Sequence, residues 1–199
     1  MILTSNLREA KLVMLGSTTV GKSSIVTRLT RDTFNPESIS TIGAAFLSKS
    51  VQVGDITMKL QIWDTGGSER YRAMAPMYFQ NAEAAIIVYD ITAKESFKDV
   101  DYWLKDLREK GPENIIIALA GNKCDLPQRN VNTETAREYA TKNNIPLFKE
   151  TSALDGTNIL SLFTDVAQFI LNGVPQATPD QIKVNSNSEP EGKSSKCCK

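Results

Sequence analysis

The chain has 199 residues, 41% of them hydrophobic, and carries 23 basic and 23 acidic side chains for a formal net charge of zero. That length suffices for one packed domain with a short remainder, and the balanced charge gives no electrostatic reason to expect nucleic acid, whose phosphates need a basic face to neutralise them. The N-terminus shows no basic-then-apolar signal segment, and the longest apolar runs, Ala84 to Val88 and Ile115 to Ala120, are far too short to span a membrane.

In chain order, Lys11-Leu12-Val13-Met14-Leu15 reads as a strand that runs into Gly16-Ser17-Thr18-Thr19-Val20-Gly21-Lys22-Ser23, a GxxxxGK[ST] phosphate loop. Ser23 to Leu29, with Ser24 in its first turn, reads as the helix such a loop opens. Two strand-like runs follow, Leu47 to Val53 and Thr57 to Trp63, and the Gly54-Asp55 turn between them predicts an antiparallel hairpin. Ala84 to Val88 and Ile115 to Ala120 look like buried parallel strands. Between them Phe97, Val100, Leu104 and Leu107 fall at helical spacing behind a Thr92-x-x-Glu95 capping box. From Gly173 onward Pro, Asn, Ser, Gln and Glu dominate without periodicity, which reads as a linker. No internal repeat is present. Adjacent Cys197 and Cys198 have Cα atoms about 3.8 Å apart, closer than an unstrained disulfide prefers, so no disulfide framework is expected and the cysteine pattern is cytosolic. Alternating apolar runs and helix-period stretches predict an α/β domain over residues 1–172, with a flexible tail over 173–199.

The phosphate loop and a later tetrad, Asn122-Lys123-Cys124-Asp125, together indicate the ligand. Backbone N–H groups from Ser17 to Ser24 can surround phosphate oxygens, Lys22 can reach the β and γ phosphates, and Ser23 can offer its hydroxyl to Mg²⁺. The Asp125 carboxylate can accept from guanine N1 and N2 at once, a donor pair that adenine lacks. An ATP-using kinase or ATPase would share the loop and leave Asp125 without a purpose. Cys124 reads as a buried small hydrophobe.

With Thr41-Ile42-Gly43, Asp64-Thr65-Gly66-Gly67, Tyr71, Tyr78 and Glu150-Thr151-Ser152-Ala153 added, the stretch from about Ala10 to Ile170 resembles the Rab branch of the Ras-like small GTPases. Thr41 to Leu47 and Ala75-Pro76-Met77-Tyr78 resemble its early-endosomal subgroup. The resemblance implies a three-layer P-loop GTPase domain, a mixed, mostly parallel six-stranded sheet with helices on both faces. It implies GTP, GDP and Mg²⁺ as ligands, with Ser23, Thr41 and Asp64 at the metal. Thr41 and Gly67 would contact the γ-phosphate, Phe34 would stand beside the guanine, Lys123 would lie along the ring, and Ala153, flanked by Ser152 and Leu154, would donate to guanine O6. Phe46, Trp63 and Tyr78 would form an effector patch. Paired cysteines at the end of a Rab chain receive geranylgeranyl groups, here Cys197 and Cys198, and Lys193, Lys196 and Lys199 would add attraction to anionic lipid.

The implied activity is a GTP-hydrolysing switch in vesicle and endosomal traffic, a monomer in the cytosol and on the cytoplasmic face of endosomal membranes. Its partners would be an exchange factor, an activating protein, a GDP dissociation inhibitor and effectors. Five positions depart from the family. Ser68 stands where a glutamine orients the attacking water, and a serine is too short for that task. Thr18 and Thr19 are bulkier than usual, Leu154 replaces a lysine, and Gly66 an alanine. If Ser68 removes useful hydrolysis, the alternative is a constitutively GTP-loaded scaffold that binds effectors.

Overall fold

A computed structural model of the protein describes residues 6–68 and 74–173. Tyr71 and the tail beyond Gly173, including Lys193, Lys196, Cys197, Cys198 and Lys199, lie outside the described residues.

Six strands form one sheet in the order β2-β3-β1-β4-β5-β6. They are β1 (Asn6–Leu15), β2 (Ala44–Val53), β3 (Ile56–Thr65), β4 (Ala84–Asp90), β5 (Ile116–Asn122) and β6 (Leu147–Thr151). Only the β2–β3 hairpin is antiparallel, because only there is the connection a tight turn; its register pairs Phe46 with Trp63 and Ala45 with Asp64. The other strands pair in parallel through helical crossovers: α1 (Lys22–Arg31), α2 (Ala75–Phe79), α3 (Lys94–Lys110), α4 (Thr133–Lys142) and α5 (Ile159–Asn172).

β4 and β5 are buried at every residue, as strands covered on both faces must be. The pleat divides their side chains between two cores. Ala84, Ile86 and Val88 join Leu12, Met14, Ala118 and Ala120 under α1 and α5, which contribute Ile25, Val26, Phe163 and Val166. Ala85, Ile87 and Tyr89 join Val13, Leu15 and Leu119 under α2, α3 and α4, with Phe79, Val100, Trp103 and Ala136. The result is a three-layer α/β domain with helices on both faces.

Strand limits differ from the sequence reading for physical reasons. β1 starts at Asn6 rather than Lys11, because residues 6–9, though exposed and without an apolar run, still pair with residues 56–59 of β3. β4 and β5 continue past their apolar runs into the polar Asp90 and Asn122. The capping box is not made. Helix α3 is capped at Ala93 with no side-chain bond, and Thr92 instead belongs to a turn at the end of β4, where its N–H and hydroxyl both donate to Asp90 Oδ1 at 2.8 and 2.7 Å.

Phe163 on α5 is fully buried against this first core. Phe163→Ala should cost about 3–5 kcal/mol of stability, read as a lower urea midpoint at unchanged slope with nucleotide held at a fixed saturating concentration.

Candidate nucleotide-binding site

The carboxyl ends of β1, β3, β4, β5 and β6 meet along one edge of the sheet, where open α/β sheets place their ligands. A cavity of ≈ 740 Å³ opens there.

Thr18, Thr19, Gly21, Lys22, Ser23 and Ser24 line one end of it. Gly21 caps α1 with φ 97°, and a Cβ there would stand 2.2 Å from Asn122 Nδ2, so only glycine fits. Among the described residues no backbone N–H from Thr18 to Ser24 donates to a protein group; the first inward bond runs from Ile25 N to Gly21 O at 2.9 Å. A run of open N–H groups at a helix start is a site for an anion. Lys22 is buried beside it, and its ammonium donates to the carbonyls of Gly16 and Ser17 at 2.8 Å each.

Phe34, Asn122, Lys123, Asp125, Ala153 and Leu154 line the other end. Asn122 joins the two ends, since its Nδ2 donates to Val20 O at 2.8 Å and its Oδ1 accepts from Thr151 Oγ1 at 3.3 Å. Lys123, at φ 67°, pairs with Asp90 Oδ2 at 2.6 Å. Ala153 is buried, and its N–H has no partner among the described residues.

Thr41, Gly67 and Ser68 close the remaining wall. The Thr41 hydroxyl lies 2.7 Å from Ser23 Oγ and donates to Asp64 Oδ2 at 3.3 Å. A Cβ on Gly67 would fall 2.4 Å from the Ser17 carbonyl carbon and 2.5 Å from Thr18 N, so this backbone lies directly against the phosphate loop. Asp64 sits behind, buried, with Oδ1 unpartnered among the described residues.

A sequence profile of the Ras family matches residues 11–172. Ras-related protein Rab-5A of Dictyostelium discoideum is 47% identical over 197 residues, 96% of either chain. Ras-related protein Rab-22A of Homo sapiens is 50% identical over 165 residues, 82% of this chain and 84% of its own. Ras-related protein RABF2b of Arabidopsis thaliana is 43% identical over 191 residues, 96% of this chain and 95% of its own. The chain belongs to the Ras family. Its relatives put it in the Rab branch, whose members are GTPases, and it is one of them.

The geometry suits what this family binds. Among the described residues no three His, Cys, Asp or Glu side chains converge, but two hydroxyls and one carboxylate do, at Ser23, Thr41 and Asp64. Such hard oxygen donors fit Mg²⁺ shared with phosphate, and the unpartnered Asp64 Oδ1 leaves an acceptor open for a water or a cation.

Four residues expected to hold nucleotide or metal stand behind the cavity wall rather than on it. The Ser17 hydroxyl donates to Asp99 Oδ2 on α3 at 2.5 Å, Val20 presents its carbonyl to Asn122, and Ser152 Oγ accepts from Leu154 N and Asp155 N at 3.2 and 3.3 Å. Asp64 reaches the site through Thr41. The aromatic trio does assemble, with ring centroids 5.6 Å apart for Phe46–Trp63 and 6.1 Å for Trp63–Tyr78. Phe46 is exposed, and Lys11 stacks on Trp63 from the other strand. Cys124 is half-buried and unpaired with another cysteine; burial pushes its thiol up.

Asp90, Asp99 and Arg28 were not legible as site residues, because each acts on a functional residue far away in the chain. The segment 35–42 also walls the cavity through Pro36, Ile39 and Ile42, where only Thr41 carried a motif signal.

Burial holds the Lys22 ammonium down to about 8 from its usual 10.5, opposed in part by the Asp64 carboxylate. An anion beside it favours the charged form and raises that value again. Nucleotide binding near pH 8 should therefore take up protons, and affinity should weaken as pH rises through this range. Calorimetry of GDP binding in two buffers of different ionisation enthalpy checks this, and Lys22→Met should abolish most of the uptake.

Proposed function

We propose that this protein is a GTP-operated switch in endosomal membrane traffic, anchored to the membrane through Cys197 and Cys198. The observation that carries the reading is the pairing of an open N–H cradle at Thr18 to Ser24 with a base-reading end at Asp125 and Ala153 inside one cavity. The names of the Rab-5 and Rab-22 relatives support it.

In this reading the phosphate loop N–H groups and the Lys22 ammonium bind the β and γ phosphates. Asp125 accepts from guanine N1 and N2, Ala153 N–H donates to O6, and the Lys123 stem and Phe34 ring bracket the base. When bound, Mg²⁺ would neutralise charge that develops between the β and γ phosphates. Ser23, Thr41 and Asp64 would hold it. Thr41 and the Gly67 N–H sense the γ-phosphate, and they lose that contact when GDP replaces GTP. Trp63 lies next to Asp64 in β3, so Phe46, Trp63 and Tyr78 offer effectors an apolar, aromatic surface whose shape follows the nucleotide. An exchange factor, an activating protein and a dissociation inhibitor complete the cycle.

The tail lies outside the described residues, and no described helix is long and apolar enough to cross a membrane. Two geranylgeranyl chains on Cys197 and Cys198 would supply the attachment, since a single moderate lipid chain binds only marginally.

Asp125→Asn tests the base reading. The amide can donate to the extra carbonyl of xanthine, so the variant should lose its preference for GTP over XTP in competition binding, while the parent keeps GTP far above both XTP and ATP. An unchanged ranking would remove Asp125 from the base edge.

Ser68 and Thr18 share the wall of the phosphate end. With no glutamine to hold water in line with the γ-phosphate, intrinsic hydrolysis should be slow, and Ser68→Gln should raise the single-turnover rate. A compatible activating protein that supplies an arginine in trans should still accelerate the unmodified chain by about 10³–10⁵. If Ser68→Gln changes nothing and Thr18→Gly restores the rate, the block is steric.

A further inference from the structure

Arg28, on the same helix as Lys22 and Ser23, makes four hydrogen bonds. Its Nε donates to Ala153 O at 2.9 Å and its Nη2 to Leu154 O at 2.6 Å. Its Nη1 donates to the backbone carbonyl of Asp32 at 2.9 Å and to Asp32 Oδ1 at 3.1 Å. The guanidinium thus joins two walls of the base end, the loop that carries Ala153 and Leu154 and the segment that leads from Asp32 to Phe34. The Arg28 side chain is only 16% exposed whereas Asp32 is 93% exposed, so the bonds to Ala153 and Leu154 are the sheltered ones.

The rest of the loop closes on itself. Ser152 N donates to Thr157 O at 3.1 Å, Gly156 N to Ser152 O at 3.0 Å, and Leu154 N to Ser152 Oγ at 3.2 Å. The peptide plane between Ala153 and Leu154 is therefore held at its N–H by Ser152 and at its C=O by Arg28. With those bonds made, the Ala153 N–H remains without a partner among the described residues, on the wall of the cavity.

We propose that Arg28 is a positioning residue for base recognition: its planar fork fixes the carbonyls of Ala153 and Leu154 so that the Ala153 N–H is held ready for the guanine O6. The proposal rests on the reading of the base end given above. A fork that grips two carbonyls restricts orientation in a way a single ammonium does not, so charge alone should not replace it. Helix α1 then carries determinants for both ends of the nucleotide, Lys22 and Ser23 for phosphate and Arg28 for base.

The test uses the full chain and two probes, GDP and 6-thio-GDP, in which sulphur replaces O6 and accepts hydrogen bonds poorly. The parent should prefer GDP. Arg28→Ala should weaken GDP by about tenfold, the scale of lost hydrogen bonds from a charged donor, and weaken 6-thio-GDP much less, so that the ratio falls toward one. Arg28→Lys should stay close to Arg28→Ala in that ratio. Asp32→Ala, which removes only the exposed arm, should change the ratio by about twofold or less. A parent with no preference between the probes would sink the reading of the base end and this proposal with it. A parent preference that survives unchanged in Arg28→Ala would overturn the proposal alone. So would equal weakening of both probes, which is what mere loosening of the fold produces, or full recovery of the ratio by lysine, which would assign the effect to charge.

Discussion

The bond from Asn122 Nδ2 to the Val20 carbonyl, 2.8 Å long and buried, is the constraint on which the site depends. It crosses from the end of β5 to the loop after β1, strands that are not neighbours because β4 lies between them. Gly21 makes the approach possible, since any side chain there would occupy the amide's place. One residue thereby sets the distance between the part of the cavity that faces phosphate and the part that faces the base. Thr151 Oγ1 donates to the Asn122 Oδ1, so β6 and its loop are referred to the same point. The parallel sheet supplies rigid strand ends, and this amide converts them into one site.

The site stores unfavourable electrostatics that its ligands relieve. Lys22 is 5% exposed with only carbonyl partners among the described residues, and Asp64 is 3% exposed with burial raising its pKa against the pull of Ser23, Lys22 and Thr41. Neither charge would be chosen for fold stability, because buried ions cost more than their mutual attraction returns unless further groups solvate them. In the function proposed above, phosphate and a divalent cation are those groups. Nucleotide binding and folding are consequently linked, and a bound nucleotide stabilises the domain by mass action.

The sheet's central strands and the nucleotide motifs were legible because both are local. Ala84 to Val88 is an apolar run whatever surrounds it, and Gly16 to Ser23 must be contiguous for its N–H groups to converge. What was missed is non-local. The apolar signal stops at Val88 and Ala120, yet the strands continue to Asp90 and Asn122 because those residues still pair with each other across the sheet, while their side chains bond Thr92, Lys123 and the Val20 carbonyl. Arg28 and Leu29 are adjacent on one helix, and no pattern in the chain distinguishes an arginine in solvent from one that grips carbonyls well over a hundred positions away. The capping box failed for the opposite reason. Its Thr92 and Glu95 have the right spacing, but the Asp90 carboxylate competes for the threonine at closer range.

β3 places Trp63 and Asp64 side by side, and the pleat sends them to opposite faces of the sheet. Trp63 meets Phe46 and Tyr78 on the outside, and Asp64 meets Thr41 at the cavity. The residue at the cavity and the residue on the aromatic surface are therefore immediate neighbours in the chain. The aspartate and the tryptophan are the two ends of one planar peptide unit, so the distance between their Cα atoms is fixed even though each side chain keeps its own torsions. The cavity and the aromatic surface thus share a border one residue wide, and a substitution at either position is a substitution next door to the other.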